Sequence, residues 1–76
     1  MVHELDTVAI MRDITGRGIV AGDIGVVAHL YSEGNVAEVE FITGEGTTLA
    51  VETLSISDIR PVGAREILHA RSLETA

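Results

Sequence analysis

The fold is decided by residues 22–31, which read GDIGVVAHLY. Gly22 and Gly25 stand at the start of a run rich in β-branched residues, a pattern typical of a tight turn that leads into a strand. The glycines permit backbone conformations that other residues avoid, and the apolar residues after them predict a strand over residues 23–31. The next four residues, SEGN at 32–35, predict a hairpin turn.

The second strand of that hairpin has the clearest pattern in the chain. Residues 36–43 read VAEVEFIT, in which Glu38 and Glu40 alternate with apolar residues. Because successive side chains of a strand point to opposite faces, this pattern predicts an apolar face toward the core and an acidic face toward solvent.

A second hairpin turn is predicted at residues 44–46, GEG, followed by a strand over residues 47–54. In this strand we expect Leu49 and Val51 to face the core and Glu52 to face outward. The predicted acidic face then comprises Glu38, Glu40 and Glu52, with Glu45 in the turn beside them.

The remaining segments complete a small all-β domain over residues 1–63. They are a first strand at 6–12, a loop at 13–22, a 3₁₀ turn at 55–58 and an edge strand at 59–62, where proline is tolerated. Five short strands with a long first loop and a 3₁₀ turn before the last strand predict a five-stranded SH3-like barrel. Residues 64–76 are predicted to be a short C-terminal helical tail.

The predicted helix in the tail spans residues 64–73, AREILHARSL. Its narrow apolar stripe consists of Ile67, Leu68 and Leu73. A helix of about ten residues is marginal in isolation, so we expect it to be ordered by packing on the barrel or on a partner.

Charge and apolar content both favour a binding partner. The formal net charge of −7 comes from residues 18–59, which contain seven acids and neither Arg nor Lys. Apolar residues make up 46% of the chain, more than so small a barrel buries, and leftover apolar surface usually marks an interface. A homo-oligomer is one alternative and a basic protein partner is the other.

Catalytic, metal and membrane signals are weak in this sequence. The chain has no cysteine, and its three histidines lack metal-site spacing. No apolar stretch is long enough to span a membrane, and no signal peptide is recognised, so we expect a cytoplasmic protein without a cofactor. His29 and Tyr31, two residues apart on one strand face, form a candidate surface patch.

Two resemblances add to this interpretation. Residues 22–27, GDIGVV, resemble the turn and strand of the KOW motif, which occurs in ribosomal and transcription proteins. A longer resemblance covers residues 6–62 and includes DTVA at 6–9, AGDIG at 21–25, VEF at 39–41 and IRP at 59–61. It is to short bacterial proteins classed as domain of unknown function 4926. This resemblance implies an SH3-like barrel, and it implies an antitoxin-like role because some members lie beside toxin-like genes.

We therefore expect a non-enzymatic interaction module that binds a basic protein through its acidic face, with the tail as an apolar anchor. Two alternatives stay open. One is an RNA- or ribosome-associated domain that uses Arg12, Arg17 and Arg60, although so acidic a chain makes nucleic acid an unfavourable partner. The other is an accessory subunit of an enzyme.

Overall fold

The computed structural model describes residues 2–73 and contains one antiparallel sheet. Its strands are β1 (Thr7–Ile10), β2 (Ile24–Tyr31), β3 (Val36–Ile42), β4 (Thr48–Ser55) and β5 (Ile59–Pro61), in the spatial order β4-β3-β2-β1-β5. Two 3₁₀ turns occupy Ser32–Gly34 and Ile56–Asp58. The predicted all-β class, the five strands and the 3₁₀ turn before the last strand are confirmed. None of the helical turns in residues 2–73 is long and apolar enough to span a membrane.

The sheet is open, and in this respect the prediction of a closed barrel was wrong. β4 and β5 lie at opposite edges, and no strand pairing joins them within residues 2–73. β5 has three residues and ends at Pro61, which has no N–H to donate. So short a strand pairs with β1 on one side and does not extend far enough to close the sheet.

The core lies against one face of the sheet and is built by alternation. Along β3, Ala37, Val39 and Phe41 are buried, as the sequence pattern predicted. They pack with residues from every other strand and from the first loop, namely Val8, Ile10, Ile19, Val27, Leu54 and Ile59.

Gly22 and Gly25 serve two different physical requirements. Gly22 has a φ of 96°, a left-handed conformation that favours glycine. Gly25 is needed for space, since a Cβ there would lie 2.6 Å from Cγ1 of Val39 and 3.1 Å from Cε1 of Phe41. The turn at Gly22 therefore starts β2, and the missing side chain at Gly25 lets β2 cross close over the core.

An irregularity in β2 decides what its second half presents to solvent. The register with β3 shifts between Val27 and His29, which leaves Ala28 as an extra residue. As a result, Leu30 packs against the core while His29 and Tyr31 lie on the outer face.

The first loop is more ordered than predicted. Ile14 and Ile19 form an isolated bridge, and Ile19 is only 1% exposed. The loop therefore contributes a core residue and places Arg17, near its tip, over the sheet.

The predicted phase of β4 was wrong. Leu49 and Val51 are exposed, whereas Ala50, Glu52 and Leu54 alternate on the core side. The ladder pairs these three residues with Phe41, Val39 and Ala37 of β3, all of which are buried. Because the side-chain period of a strand is two, this one-residue difference moves the side chains of residues 50–54 to the opposite face.

The predicted helix in the tail was also wrong. Residues 62–73 run without a helix, and Ile67 is 96% exposed. The last three residues of the predicted tail, 74–76, lie outside the described residues.

Candidate functional site

The outer face of β2 and β3 carries two of the predicted acidic residues side by side. Glu38 and Glu40 alternate along β3 with Ala37 and Val39, which are 0% exposed. Both carboxylates therefore point away from the core. His29 is the ladder partner of Glu38 on the neighbouring strand.

His29 and Tyr31 are in contact on this face. Their ring centroids are 4.5 Å apart in an edge-to-face arrangement, which is a favoured geometry for aromatic pairs. The hydroxyl of Tyr31 donates a hydrogen bond to Oε1 of Glu38. This bond is the main cause that raises the pKa of Tyr31, and desolvation and the negative charge of Glu38 act in the same direction.

Glu4 joins the cluster from the N-terminal segment. Its Oε2 lies 2.9 Å from Nδ1 of His29 and accepts a hydrogen bond from the backbone N–H of Leu30 at 3.3 Å. Sequence reasoning missed Glu4, because nothing in its local pattern indicates a contact with a strand so distant in the chain. We call five side chains the outer patch: Glu4, His29, Tyr31, Glu38 and Glu40.

The outer patch has an apolar border on β4. Glu40 accepts a hydrogen bond from the hydroxyl of Thr48, and its ladder partner is Val51. Val51 is 48% exposed, so an apolar side chain lies beside the carboxylate. A surface of this kind offers a partner charged groups and, beside them, apolar area that loses its water on binding.

Glu52 does not belong to the outer patch, which corrects the predicted acidic face. It points to the core side of β4, where its side chain is only 15% exposed. Nε of Arg17 lies 3.1 Å from Oε2 of Glu52. That oxygen is buried and receives no hydrogen bond from the residues described, because the N–H of Arg17 is not directed at it.

Glu45 is also separate from the outer patch. It lies exposed in the turn between β3 and β4, and it borders a cleft of about 720 Å³. The sheet side of this cleft includes Ile24, Phe41 and Leu49, and the other side is formed by tail residues 69–73. Leu73, one of the three predicted anchor residues, is among those lining residues.

The tail is held by a polar contact rather than by its apolar stripe. Nε of Arg71 donates to Oδ1 of Asp23 at 2.8 Å, and a terminal nitrogen of Arg71 donates to the carbonyl of Gly18 at 2.6 Å and to Oδ2 of Asp23. The hydrogen bonds from Arg71 are the main cause that lowers the pKa of Asp23. Ile67 and Leu68 are exposed and make no such anchor.

Four of the five arginines form ion pairs within the chain. Their nearest nitrogen–oxygen distances are 3.0 Å for Arg12–Asp58, 3.1 Å for Arg17–Glu52, 2.7 Å for Arg60–Glu66 and 2.5 Å for Arg71–Asp23. The hydrogen bond from Arg60, together with a smaller contribution from the N–H of Gly63, lowers the pKa of Glu66 to about 2. No ion pair in residues 2–73 joins an arginine to Glu38, Glu40 or Glu45.

The chemistry of the outer patch is that of hydrogen bonding and charge. Its carboxylates accept hydrogen bonds, and Tyr31 adds an aromatic ring with a polar end. Across residues 2–73, no group of three His, Asp or Glu side chains is arranged to hold a metal ion.

Fold and site together define a small all-β module, an open antiparallel sheet with an acidic outer face and, among residues 2–73, no strand paired to the outer edge of β4. The chain belongs to the family described as "domain of unknown function (DUF4926)", which it matches over residues 4–61. Neither the curated proteins nor the solved structures include a match to this chain. The matched range contains all five strands and the whole outer patch, and it ends before the tail.

Proposed function

We propose that this protein is a non-enzymatic binding module whose outer patch binds a basic surface of a partner protein. One observation carries the proposal. Glu38 and Glu40 have no arginine partner in residues 2–73, whereas four arginines are paired with other acids of the chain. Glu38 and Glu40 therefore place two negative charges without an arginine partner side by side on the outer face of the sheet.

The physics of association fits this arrangement. A one-signed patch attracts an oppositely charged partner and raises the association rate, while repulsion excludes acidic partners. Tyr31 supplies the kind of amphipathic ring that dominates binding energy at many interfaces. The exposed Val51 adds apolar area beside the charge.

An antitoxin-like or neutralising role is the specific form of this function that we favour. A protein that acts on nucleic acid has a basic groove, and an acidic module can occupy that groove in place of phosphates. The formal net charge of −7 on a chain of 76 residues suits such a partner. The support for this role is the resemblance to family members that lie beside toxin-like genes.

The two alternatives have less support. For the RNA-associated alternative, Arg12, Arg17 and Arg60 would each have to leave a carboxylate before binding a phosphate. The accessory-subunit alternative predicts copurification with an enzyme, which the experiment below also detects. Self-association remains a separate prediction, tested by analytical ultracentrifugation.

The test is copurification with the product of the neighbouring gene, at low and at high salt. We expect Glu38→Lys/Glu40→Lys to lower recovery of the partner at least about tenfold, which corresponds to about 1.4 kcal/mol of binding free energy. The matched control is Glu33→Lys/Glu45→Lys, which makes the same change of charge in two turns away from the outer patch. Equal loss in both double variants, or no loss in either, would contradict the role of the outer patch.

A further inference from the structure

β4 is a long strand with one free edge. Seven of its eight residues have a ladder partner on β3, and within residues 2–73 no backbone hydrogen bond joins its other side to any segment. Every second residue of β4 therefore directs its backbone N–H and C=O groups away from β3, toward the free side. An unpaired strand edge of this length is a template for an added strand from another chain.

β4 also lacks most of the devices that protect sheet edges. It contains neither proline nor lysine, and Leu49 and Val51 are exposed on it. Its protective features are the β-bulge at Leu49, near its start, and the inward-pointing charge of Glu52, near its middle. Glu52 is the charged side chain of β4 itself that an added strand would meet.

The carboxylate of Glu52 has unused capacity to accept a hydrogen bond. Its Oε2 is buried and has no hydrogen-bond donor, although the Arg17 guanidinium is 3.1 Å away. A buried acceptor left without a donor is unfavourable, and a well-placed donor relieves that cost. A basic side chain on the core side of an incoming strand meets this requirement.

We propose that the free edge of β4 binds an extended basic segment of a partner protein, which adds to the sheet as a sixth strand and directs an Arg or Lys toward Oε2 of Glu52. The inference rests on the proposed function in taking the partner to be basic, and it adds the mode of binding. On the outer face, the added strand lies next to Val51 and Thr53, where an apolar side chain packs and a basic one extends toward Glu40.

Charge favours a basic partner over a second copy of this chain. Each copy carries a formal net charge of −7, so two copies repel at low salt. Pairing two β4 strands also brings a second Glu52 toward the inner side, with no cation beyond the Arg17 that each copy already pairs with it. A basic segment avoids both the repulsion between two acidic chains and the second carboxylate on the inner side.

The test uses a synthetic peptide of alternating Arg and Val, eight residues long to match β4. A Glu–Val peptide is the charge control, and the Arg–Val peptide N-methylated at every amide is the pairing control. We expect the Arg–Val peptide to bind and to slow hydrogen exchange of amides in β4, measured by NMR. The N-methylated peptide keeps the charge but cannot form a ladder, so we expect it to bind at least about tenfold more weakly.

Two variants move the affinity in opposite directions. Glu52→Gln is expected to weaken binding of the Arg–Val peptide, because the acceptor loses its charge. Arg17→Gln is expected to strengthen binding, because it removes the cation that competes for Glu52. Glu45→Gln is the matched control, with no expected change, and the dispersion of NMR signals reports whether each variant is folded.

The outcomes separate the two proposals. Slower exchange in β4 together with opposite effects of the two variants supports edge binding. Binding that leaves β4 exchange unchanged, is equal for the N-methylated peptide and is lost in Glu38→Lys/Glu40→Lys overturns edge binding and supports the outer patch. If no Arg–Val peptide binds even at low ionic strength, edge binding is overturned, while the copurification experiment still decides the proposed function.

Discussion

The two edges of the sheet differ in how they meet solvent. β5 has three residues, ends at Pro61 and is followed by a turn in which Glu66 binds both Arg60 and the N–H of Gly63. β4 has eight residues and a single inward charge. One edge is too short to accept a strand, and the other is long enough to accept one. A small open sheet can therefore leave one of its two edges open to strand addition while the other edge is protected.

β2 connects β3 and β4 on one side of the sheet with β1 and β5 on the other. A substitution at Gly25 in β2 tests how strongly the fold depends on this connection. Gly25→Ala places a Cβ against Val39, Phe41 and the carbonyl of Glu40. We expect a loss of about 2 kcal/mol or more in the free energy of unfolding, since overpacking of a core typically costs about 1–3 kcal/mol. Urea denaturation followed by circular dichroism measures it.

Gly44→Ala is the matched control for this substitution. No atom lies within 4 Å of a Cβ built at Gly44, so we expect a change within about 0.5 kcal/mol. Equal destabilisation by the two variants would show that lack of space at Gly25 is not what the fold depends on.

A substitution at Glu52 sharpens the comparison between the edges directly. Glu52→Val removes the inward charge from β4, and we expect the variant to self-associate at least about tenfold more tightly at physiological salt, which is about 1.4 kcal/mol. Analytical ultracentrifugation over a range of concentrations measures this change. Thr53→Val, which adds an apolar residue to β4 but keeps Glu52, and Arg60→Val on β5 are the controls. Equal association in all three variants would contradict a special role for Glu52.

The smallest expected effect concerns the tail, which is held in place by the contact of Arg71 with Asp23. Because the pKa of Asp23 is lowered in the folded protein, the contribution of its contact with Arg71 is fully present above the ordinary pKa of about 3.9. It is lost as the pH falls through the lowered value. We expect NMR signals of residues 67–73 to sharpen on acidification, as the tail is released.

Arg71→Gln is the control for this titration. Its tail is expected to be released at neutral pH, with no further change on acidification. A tail that stays in place in Arg71→Gln would mean that other contacts hold it.

The parts of the fold that sequence reasoning predicted correctly have local causes. The faces of β3 follow from the strict alternation of Glu38 and Glu40 with apolar residues. Gly22 indicates a turn because its positive φ is a conformation that favours glycine. The phase of β4 was not predictable in this way. Leu49 and Val51 are more hydrophobic than Ala50 and Glu52, yet a register shift between Phe41 and Ile42 and the cation of Arg17 favour the opposite arrangement.

The candidate site was predictable only in part for the same reason. Strand periodicity places Glu38 with Glu40 and His29 with Tyr31, but only the bulge at Ala28 brings the two pairs onto one face of the sheet. Glu4 and Arg71 take part through contacts between distant segments, which no local pattern indicates. The tail helix failed because about ten residues do not form a stable helix without tertiary packing.

The bulge at Ala28 makes the outer patch depend on how β2 accommodates one residue, as well as on composition. Deleting Ala28 would give a regular ladder in which Val27 and Leu30 still face the core and His29 and Tyr31 still face outward. If the residue were kept but the bulge lost, strict alternation from Val27 would turn His29 and Tyr31 toward the core and Leu30 toward solvent. A homologue can therefore keep every residue type of the patch and lose the patch through a change in strand pairing alone.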